Sequence, residues 1–349
     1  MQNVQVGNKV IGPGQPVFVI AEAGINHNGD LKLARALIDV AVEAGADAVK
    51  FQTFRADRLA TPDAPKAEYQ LQTTGNDESQ FEMLRRLELS AGAHRELQAY
   101  CHERGIIFLS TPFDEEAVDL LDELGVPAFK ISSGDLTNLP LLEHVASKGK
   151  PVILSTGMSE LSELIEAVSV LNTAGCENPV LLHCVSNYPA DPSEVNLRAM
   201  QTMRSAFDVP VGFSDHTEGI DVAIAAVALG ACVIEKHFTS NRALPGPDHR
   251  ASLEPAELRE LVRSIRRVET ALGNGRKVPT ASELKTAKVA RRSLVAARDI
   301  PAGTTLERDM VVMRRPGTGL SPSALTTVLG LRAVRDITAG TLLDTNMFE

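Results

Sequence analysis

Cysteine is scarce in this 349-residue sequence, which contains only four. They are Cys101, Cys176, Cys184 and Cys232, and no two of them form a CxxC pair. A disulfide framework requires a denser and more regular set of cysteines, so this pattern argues against a secreted, disulfide-stabilised fold. We therefore expect four reduced, packed thiols in a cytoplasmic protein.

Long hydrophobic runs are also absent. The longest uncharged apolar run extends from Val222 to Ile234, which is too short to cross a bilayer. The amino terminus lacks the basic region of a signal peptide, and the first apolar run contains Glu22. We therefore expect neither a membrane span nor a targeting segment.

An excess of positive charge is missing as well. The 35 Lys and Arg residues are outnumbered by 45 Asp and Glu residues, which gives a formal net charge of -10. This balance argues against nucleic acid or an anionic membrane surface as the main partner, because both are polyanions. It leaves room for a locally positive pocket.

What the sequence does contain is a repeated strand-helix pattern. Eight short apolar runs are separated by amphipathic segments, and most of the runs end on a polar, chemically capable residue. The runs cover residues 17–24, 46–54, 106–113, 128–135, 151–158, 180–188, 209–217 and 231–239. Continuous Val, Ile and Leu runs are typical of parallel strands buried on both faces. The pattern predicts an α/β fold, a (β/α)8 TIM barrel whose active face lies at the carboxyl ends of the strands.

The pattern also predicts how the chain is divided. We assign residues 1–275 to the barrel and 276–290 to a basic linker. Residues 291–349 are assigned to a small β-rich domain, because segments 298–310 and 335–347 resemble each other. Within the barrel, the polar connection 55–80 is unusually long, and we interpret it as a loop that covers the substrate.

Two histidines and two lysines stand out near strand exits. His216 and His237 follow the seventh and eighth strands, where imidazoles can share a first-row metal ion, although either ring could simply bond its own loop. Lys50 and Lys130 lie inside apolar strands, where an ammonium group needs an anionic partner. Hydroxyl groups surround these lysines at neighbouring exits, which favours a site for a phosphate and a carboxylate. The hydroxyl residues are Thr111, Ser132, Ser133, Ser155, Ser186 and Ser214.

Carboxylates and one tyrosine complete the predicted face. Glu22 ends the first strand and is the best-placed candidate for a general base. Asp135, Asp215 and Asp248 can act as bases or bind sugar hydroxyls, although Asp135 could equally cap a following helix. Tyr188 can stack on a sugar or form a hydrogen bond to it.

Ten motifs, in order, resemble those of the sialic acid synthase family. They are IAEAGINHNGD, KFQTF, FLSTPFD, KISSGD, ILSTGM, LLHCVSNYP, GFSDHT, EKHFT, PGPDHRASLEP and, in the tail, RRPGTGLSP. The last is similar to the antifreeze-like (SAF) domain of those enzymes. The resemblance implies condensation of phosphoenolpyruvate with an N-acyl hexosamine to give a nine-carbon sugar acid and phosphate by C–O cleavage.

The resemblance also implies roles for particular residues. A divalent metal, usually Mn²⁺ with Mg²⁺ or Co²⁺ as alternatives, would be held by His216 and His237. Beside these implied roles, we expect Glu22, Lys50, Lys130 and Asp215 to be catalytic. Phosphoenolpyruvate would contact the two lysines together with Thr111, Ser133, Ser155, Ser214 and either Ser186 or Asn187. The sugar would contact Gln52, Asp135, Tyr188 and Asp248. Arg315 of the tail would reach over the barrel of a partner subunit in a domain-swapped homodimer.

The identity of the acceptor sugar stays open at this point. Our main prediction is N-acetylmannosamine as the acceptor and N-acetylneuraminate as the product. The alternative is N,N'-diacetyllegionaminate made from 2,4-diacetamido-2,4,6-trideoxymannose, which the loop segment KAEYQLQTTGNDESQ equally resembles. A more distant alternative is a Schiff-base aldolase, because buried strand lysines also mark that class.

Overall fold

The computed structural model describes residues 2–75 and 77–349. The chain forms two compact units, one ending at Gly273 and the other covering Asn274–Glu349. The strands of the first unit are β1 (Val4–Val6), β2 (Lys9–Ile11), β3 (Phe18–Gly24), β4 (Ala48–Thr53), β5 (Ile107–Pro112), β6 (Phe129–Ile131), β7 (Val152–Ser155), β8 (Val180–Cys184), β9 (Val211–Asp215) and β10 (Val233–His237). No helix in the described part of the chain is both long and apolar enough to cross a membrane.

Helices alternate with the strands and cover the sheet. Those of the first unit are α1 (Leu31–Ala44), α2 (Ala56–Leu59), α3 (Glu68–Thr74), α4 (Gln80–Leu87), α5 (Ala91–Arg104), α6 (Glu115–Glu123), α7 (Leu139–Ala146), α8 (Leu161–Thr173), α9 (Ala199–Phe207), α10 (Asp221–Ala228) and α11 (Pro255–Leu272). Local sequence sets their ends, as α1 illustrates. Asp30 accepts hydrogen bonds from the backbone N–H groups of Lys32 and Leu33, and Gly45 ends the helix with a φ of 79°.

The eight strands β3–β10 form one parallel sheet. Its ladder runs in the order β5-β4-β3-β10-β9-β8-β7-β6, and the terminal strands β5 and β6 lie side by side, which brings the sheet round into a barrel. The predicted TIM-barrel fold is confirmed. Its core lies between strands and helices, where a single apolar cluster extends from Val19 of β3 to Ile265 of α11.

Side-chain alternation sorts each strand into an outer and an inner face, because successive residues of a strand point in opposite directions. The inner face has two layers. The layer near the amino-terminal ends is apolar and includes Phe18, Ile20, Ala48, Leu109, Ala128, Ile153, Val180, Leu182 and Val233. The layer nearer the carboxyl ends is polar and includes Glu22, Lys50, Thr111, Lys130, Ser155, Ser214 and Glu235. A hydrocarbon floor therefore lies beneath the polar groups.

A short hairpin, β1 and β2, which the sequence analysis did not predict, closes the amino-terminal end of the barrel. Val4, Val6 and Ile11 are buried against the apolar inner layer. Lys9 of the hairpin forms an ion pair with Asp47 at 2.8 Å. Asp47 also accepts a hydrogen bond from the backbone N–H of Val19, so this one carboxylate links the hairpin to the first barrel strand.

The long connection after β4 is a small helical subdomain. It contains α2, α3 and α4, and its own apolar cluster includes Phe54, Met83, Leu84 and Leu87. This cluster adds a covered layer beside the strand ends. The segment is therefore largely folded, whereas the sequence predicted a loop.

The second unit is small and has internal symmetry. Its elements are α12 (Ala281–Ala290), β11 (Ser293–Ala296), β12 (Val311–Arg314) and α13 (Leu325–Val328). The two similar segments pair through Ile300 and Ile337, whose backbones exchange hydrogen bonds of 2.8 and 2.9 Å. Each segment also provides an Asp that accepts a backbone N–H of the other, at 2.7 Å for both Asp299 and Asp336. The repeat seen in the sequence thus corresponds to a real structural pair.

Candidate active site

Lys50 occupies the centre of the polar inner layer, where it contacts Glu22 and Thr111. Its Nζ atom lies 2.7 Å from Glu22 Oε2 and donates a hydrogen bond to Thr111 Oγ1 at 2.9 Å. Burial alone would lower the pKa of Lys50, but Glu22 and Glu235 raise it above its usual value. Lys50 is therefore a fixed positive charge.

Lys130 of β6, which is separated from β4 only by β5, has a similar environment. Its Nζ atom donates to Ser155 Oγ at 2.7 Å and to the carbonyl of Ile131 at 3.0 Å, and lies 3.5 Å from Glu235 Oε1. Burial lowers the pKa of Lys130, against the pull of Glu235. The two lysines and their hydroxyl partners can together receive a ligand with two anionic groups.

Glu235 lies between the two lysines and is a site residue that was not predicted from the sequence. It accepts a hydrogen bond from Ser214 Oγ at 2.8 Å and lies 3.8 Å from Lys50 Nζ. Burial alone would raise its pKa, but Lys130 and Lys50 bring it to about 2. One signal could have revealed it, because β10 places Val233, Glu235 and His237 on the same face by simple alternation.

Glu22 differs from Glu235 in its proton affinity. Burial raises the pKa of Glu22 to about 7; Lys50 opposes this rise and Glu235 adds to it. Two neighbouring carboxyl groups with well-separated pKa values are a frequent basis for assigning acid-base roles. Glu22 is therefore a carboxyl group able to exchange a proton near neutral pH.

His216 and His237 lie together at the mouth of the barrel, with ring centroids 5.5 Å apart. Tyr188 covers both, at 4.1 Å from the His216 ring and 5.5 Å from the His237 ring. His216 Nδ1 donates to the carbonyl of Val185 at 2.6 Å, so its Nε2 carries the free lone pair. Burial lowers the pKa of His216 and, more strongly, that of His237, so both rings are neutral at pH 7.

These residues fit a divalent cation with an incomplete protein shell. His237 Nδ1 is buried without a hydrogen-bond partner and lies 4.0 Å from Asp248 Oδ2. Burial raises the pKa of Asp248 to about 7. Among residues 2–75 and 77–349, no three His, Cys, Asp or Glu side chains are grouped to hold an ion. Two neutral imidazoles would thus leave most coordination positions to water or substrate oxygens.

Asp215, predicted as catalytic, faces away from this layer. Its carboxylate lies 2.7 Å from Lys236 Nζ and accepts hydrogen bonds from the N–H and hydroxyl of Thr217. Lys236 also donates to the carbonyl of Thr217 at 2.6 Å. Burial lowers the pKa of Lys236, and the charges of Asp215 and of Glu257 on α11 oppose this decrease. The geometry gives Asp215 the part of a buried anchor that fixes the turn leading into His216.

Ser133 and Ser186 lie near each other around Gly157. Ser133 Oγ accepts the backbone N–H of Gly157 at 2.9 Å and lies 3.0 Å from Cys184 Sγ. A Cβ on Gly157 would lie 2.8 Å from Cys184 Sγ and would collide with Ser186 Oγ, so only glycine fits this approach. The next residue, Asn187, is exposed. All four cysteines of the chain are free and buried.

The remaining predicted residues have surroundings of their own. Gln52 is half-buried on β4 and, like Glu22 and His237, lies close to Gly24. Asp135 ends a short 3-10 turn and accepts a hydrogen bond from Ser132 Oγ at 2.6 Å. Arg315 belongs to the second unit, where its Nε donates to the carbonyl of Ala290 at 2.9 Å.

His27, in the loop after β3, makes stability depend on pH. It is fully buried, and burial lowers its pKa to about 4. Below pH 6.5 the His27 ring binds a proton in the unfolded chain, whereas in the folded protein the ring stays neutral until about pH 4. The free energy of unfolding therefore falls as pH decreases through this window, by about 2 kcal/mol at pH 5 from His27 alone.

We expect His27→Asn to remove this loss while keeping an acceptor for the backbone N–H of Gly29, which His27 Nδ1 now accepts. Denaturant unfolding at pH 7.5 and pH 5 would measure the difference. His102→Asn, at an exposed position of α5, is the control and should keep the wild-type slope. An identical pH slope in all three proteins would show that His27 is not buried as a neutral ring.

The fold and the site together define a TIM-barrel enzyme with an anion-binding layer at the carboxyl ends of its strands. The chain belongs to the NeuB family, whose model matches residues 37–277, and residues 291–349 match the SAF domain. The resemblance to sialic acid synthases with a SAF domain is thereby confirmed.

Two relatives and one solved structure are similar over most of the chain. The N,N'-diacetyllegionaminic acid synthase of Legionella pneumophila is 48% identical and covers 97% of this chain and 96% of its own length. That of Campylobacter jejuni is 51% identical, with 91% and 96% covered. The crystal structure of an N-acetylneuraminic acid synthetase from Leptospira borgpetersenii has a TM-score of 0.72 and 39% identity, and the match covers 82% of this chain and 95% of that one.

Proposed function

We propose that this protein condenses phosphoenolpyruvate with 2,4-diacetamido-2,4,6-trideoxymannose to give N,N'-diacetyllegionaminate and phosphate. The observation that carries this choice is the high identity, over nearly the whole chain, to two synthases of that name. N-acetylmannosamine is the main prediction from the sequence alone, whereas these relatives favour its alternative. N-acetylmannosamine remains the second candidate, supported by the similar Leptospira structure.

The polar layer suits the anionic donor. Phosphoenolpyruvate carries a phosphate and a carboxylate, and Lys50 and Lys130 are two buried ammonium groups with hydroxyl partners on separate strands. Thr111 and Ser155 accept hydrogen bonds from these lysines. Ser133 and Ser214, with either Ser186 or Asn187, are the other proposed contacts to the donor. Charges fixed in a dry pocket need no reorganisation during reaction, which makes them effective in stabilising developing charge.

Glu22 is the proposed base. C3 of phosphoenolpyruvate forms a bond to the aldehyde carbon of the open-chain sugar as the C=O π bond opens, and the aldehyde oxygen takes up a proton to become a hydroxyl. Water adds to C2. Glu22 takes a proton from that water, and phosphate leaves with cleavage of its C–O bond to C2. A carboxyl group with a pKa near 7 is well matched to accepting and returning a proton at cellular pH.

His216 and His237 are the proposed ligands of a divalent metal, with Mn²⁺ as the first candidate and Mg²⁺ or Co²⁺ as alternatives. When bound, such an ion supplies Lewis acidity toward a substrate oxygen. Gln52, Tyr188 and Asp248 are the proposed sugar contacts, and Asp135 is a weaker candidate because Ser132 already engages it. We also propose a cytoplasmic homodimer in which Arg315 reaches the partner's barrel.

The test is to incubate the purified protein with phosphoenolpyruvate and each acceptor and to measure phosphate release. We expect a higher kcat/KM with the diacetamido sugar than with N-acetylmannosamine. The reverse order would select the second candidate. Covalent trapping of Lys50 or Lys130 by borohydride during turnover would instead favour the Schiff-base aldolase.

Removal of metal gives a separate prediction. Dialysis against a chelator is expected to abolish phosphate release, and Mn²⁺ is expected to restore it, because the ion would supply the Lewis acidity toward the substrate oxygen. His237→Ala should lose both the activity and the recovery. His144→Ala, on α7 and away from the strand exits, should behave as wild type. Full activity after chelation would remove the metal from the proposal.

A further inference from the structure

The helical subdomain after β4 places one side chain directly on the site. Tyr69 of α3 packs its ring on Tyr188, with centroids 4.9 Å apart and planes inclined by 32°. Tyr188 in turn lies on His216. The three rings form a continuous series of tilted ring contacts that leads from the two histidines to α3.

This position of Tyr69 is held by contacts within the subdomain. Lys66, before the helix, is buried and donates to Thr74 Oγ1 at 2.9 Å and to the carbonyl of Gly75 at 3.1 Å, after it. Gln70 accepts the backbone N–H of Ala67 at 3.0 Å. Both ends of α3 are thereby fixed, so the Tyr69 ring is presented by a preorganised element and not by a free loop.

The hydroxyl group of Tyr69 has hydrogen-bonding capacity left. It accepts one bond, from Gln70 Nε2 at 3.3 Å, and within the described residues it donates none. Burial raises the pKa of Tyr69, and the charge of the Asp248 carboxylate raises it further. A half-buried ring face beside an uncommitted O–H donor suits a group that is both flat and a hydrogen-bond acceptor.

We propose that Tyr69 is a specificity residue that binds the acetamido group of the acceptor sugar furthest from its reacting carbon. The ring would pack against the acetamido methyl and amide plane, and the hydroxyl would donate to the amide oxygen. This inference rests on the proposed function, because His216 and His237 then mark the reacting end of the sugar. Tyr69 lies two ring contacts further out, where a second acetamido group distinguishes the diacetamido sugar from N-acetylmannosamine.

The experiment compares the wild type with Tyr69→Phe and Tyr69→Ala, using both acceptors at saturating phosphoenolpyruvate. Tyr69→Phe should lower kcat/KM for the diacetamido acceptor by about 10-fold, the value of one hydrogen bond. Its kcat/KM for N-acetylmannosamine and its KM for phosphoenolpyruvate should stay within about 2-fold of the wild-type values. Neither substrate carries the distal acetamido group to which the lost hydroxyl would donate. Tyr69→Ala should lose more, because the ring is also removed.

Tyr100→Phe is the matched control, since its hydroxyl donates to Asp39 on the outer face of the barrel. Tyr100→Phe should leave kcat/KM unchanged for both acceptors. Equal losses on both acceptors in Tyr69→Phe, or no loss on either, would overturn the role of Tyr69 while leaving the proposed reaction intact. A wild type that releases phosphate with N-acetylmannosamine alone, or with neither sugar, would overturn this inference together with the proposed acceptor.

Discussion

Replacing Glu22 with glutamine is expected to lower kcat by at least about 100-fold, the usual contribution of a positioned general base. The substitution keeps the size of the side chain but removes the group whose pKa burial raises to about 7. The KM for phosphoenolpyruvate should change little, because Lys50 and Lys130 remain. Steady-state phosphate release, with the KM for each substrate, would measure the effect.

Glu166→Gln, at an exposed position of α8, is the control for Glu22 and should retain wild-type kcat. Glu22→Gln also leaves Lys50 with a weaker partner, so thermal unfolding should accompany the kinetics. A folded variant with near-normal turnover would remove Glu22 as the base. A variant that loses turnover only because it is unfolded would be recognised by its melting curve.

Replacing Glu235 with glutamine is expected to destabilise the protein strongly. Glu235 is the carboxylate that faces both Lys130 and Lys50, and breaking a buried ion pair typically costs about 3–5 kcal/mol. In a unit of this size the loss corresponds to a decrease in Tm of about 10 °C. Differential scanning fluorimetry would measure it, with Glu166→Gln at the exposed position of α8 as the control.

The same variant should respond more strongly to anions. Without Glu235, the two ammonium groups lack much of their internal counter-charge, so inorganic phosphate or phosphoenolpyruvate should raise the Tm of Glu235→Gln more than that of the wild type. An unchanged Tm without ligand, or equal shifts with it, would contradict the view that Glu235 neutralises the two lysines.

Much of the barrel could be predicted because its strands are continuous apolar runs with polar exits. The same runs placed Lys50 and Lys130 correctly inside strands, and the need of a buried ammonium for an anion pointed to a charged pocket. The sequence could not reveal which anion is present before substrate arrives. In the structure it is the protein's own Glu22 and Glu235.

The orientations of Asp215 and Glu235 depend on strand register, which decides whether a residue faces the inside or the outside of the barrel. Asp215 stands beside His216 in the sequence, yet alternation turns it outward toward Lys236. Glu235 reaches the interior by the same rule. The hairpin of β1 and β2 could not be predicted from the sequence, because an alternating pattern cannot be recognised over strands of only three residues.

The hairpin has a consequence for traffic through the enzyme. Val4, Val6 and Ile11 close the amino-terminal end of the barrel. A ligand that reaches the two lysines must therefore enter at the carboxyl ends of the strands. In the proposed reaction, both substrates then enter the active site through the same opening. The reactant that is bound deeper, at the two lysines, therefore has to bind before the other, which gives an ordered sequence of substrate binding.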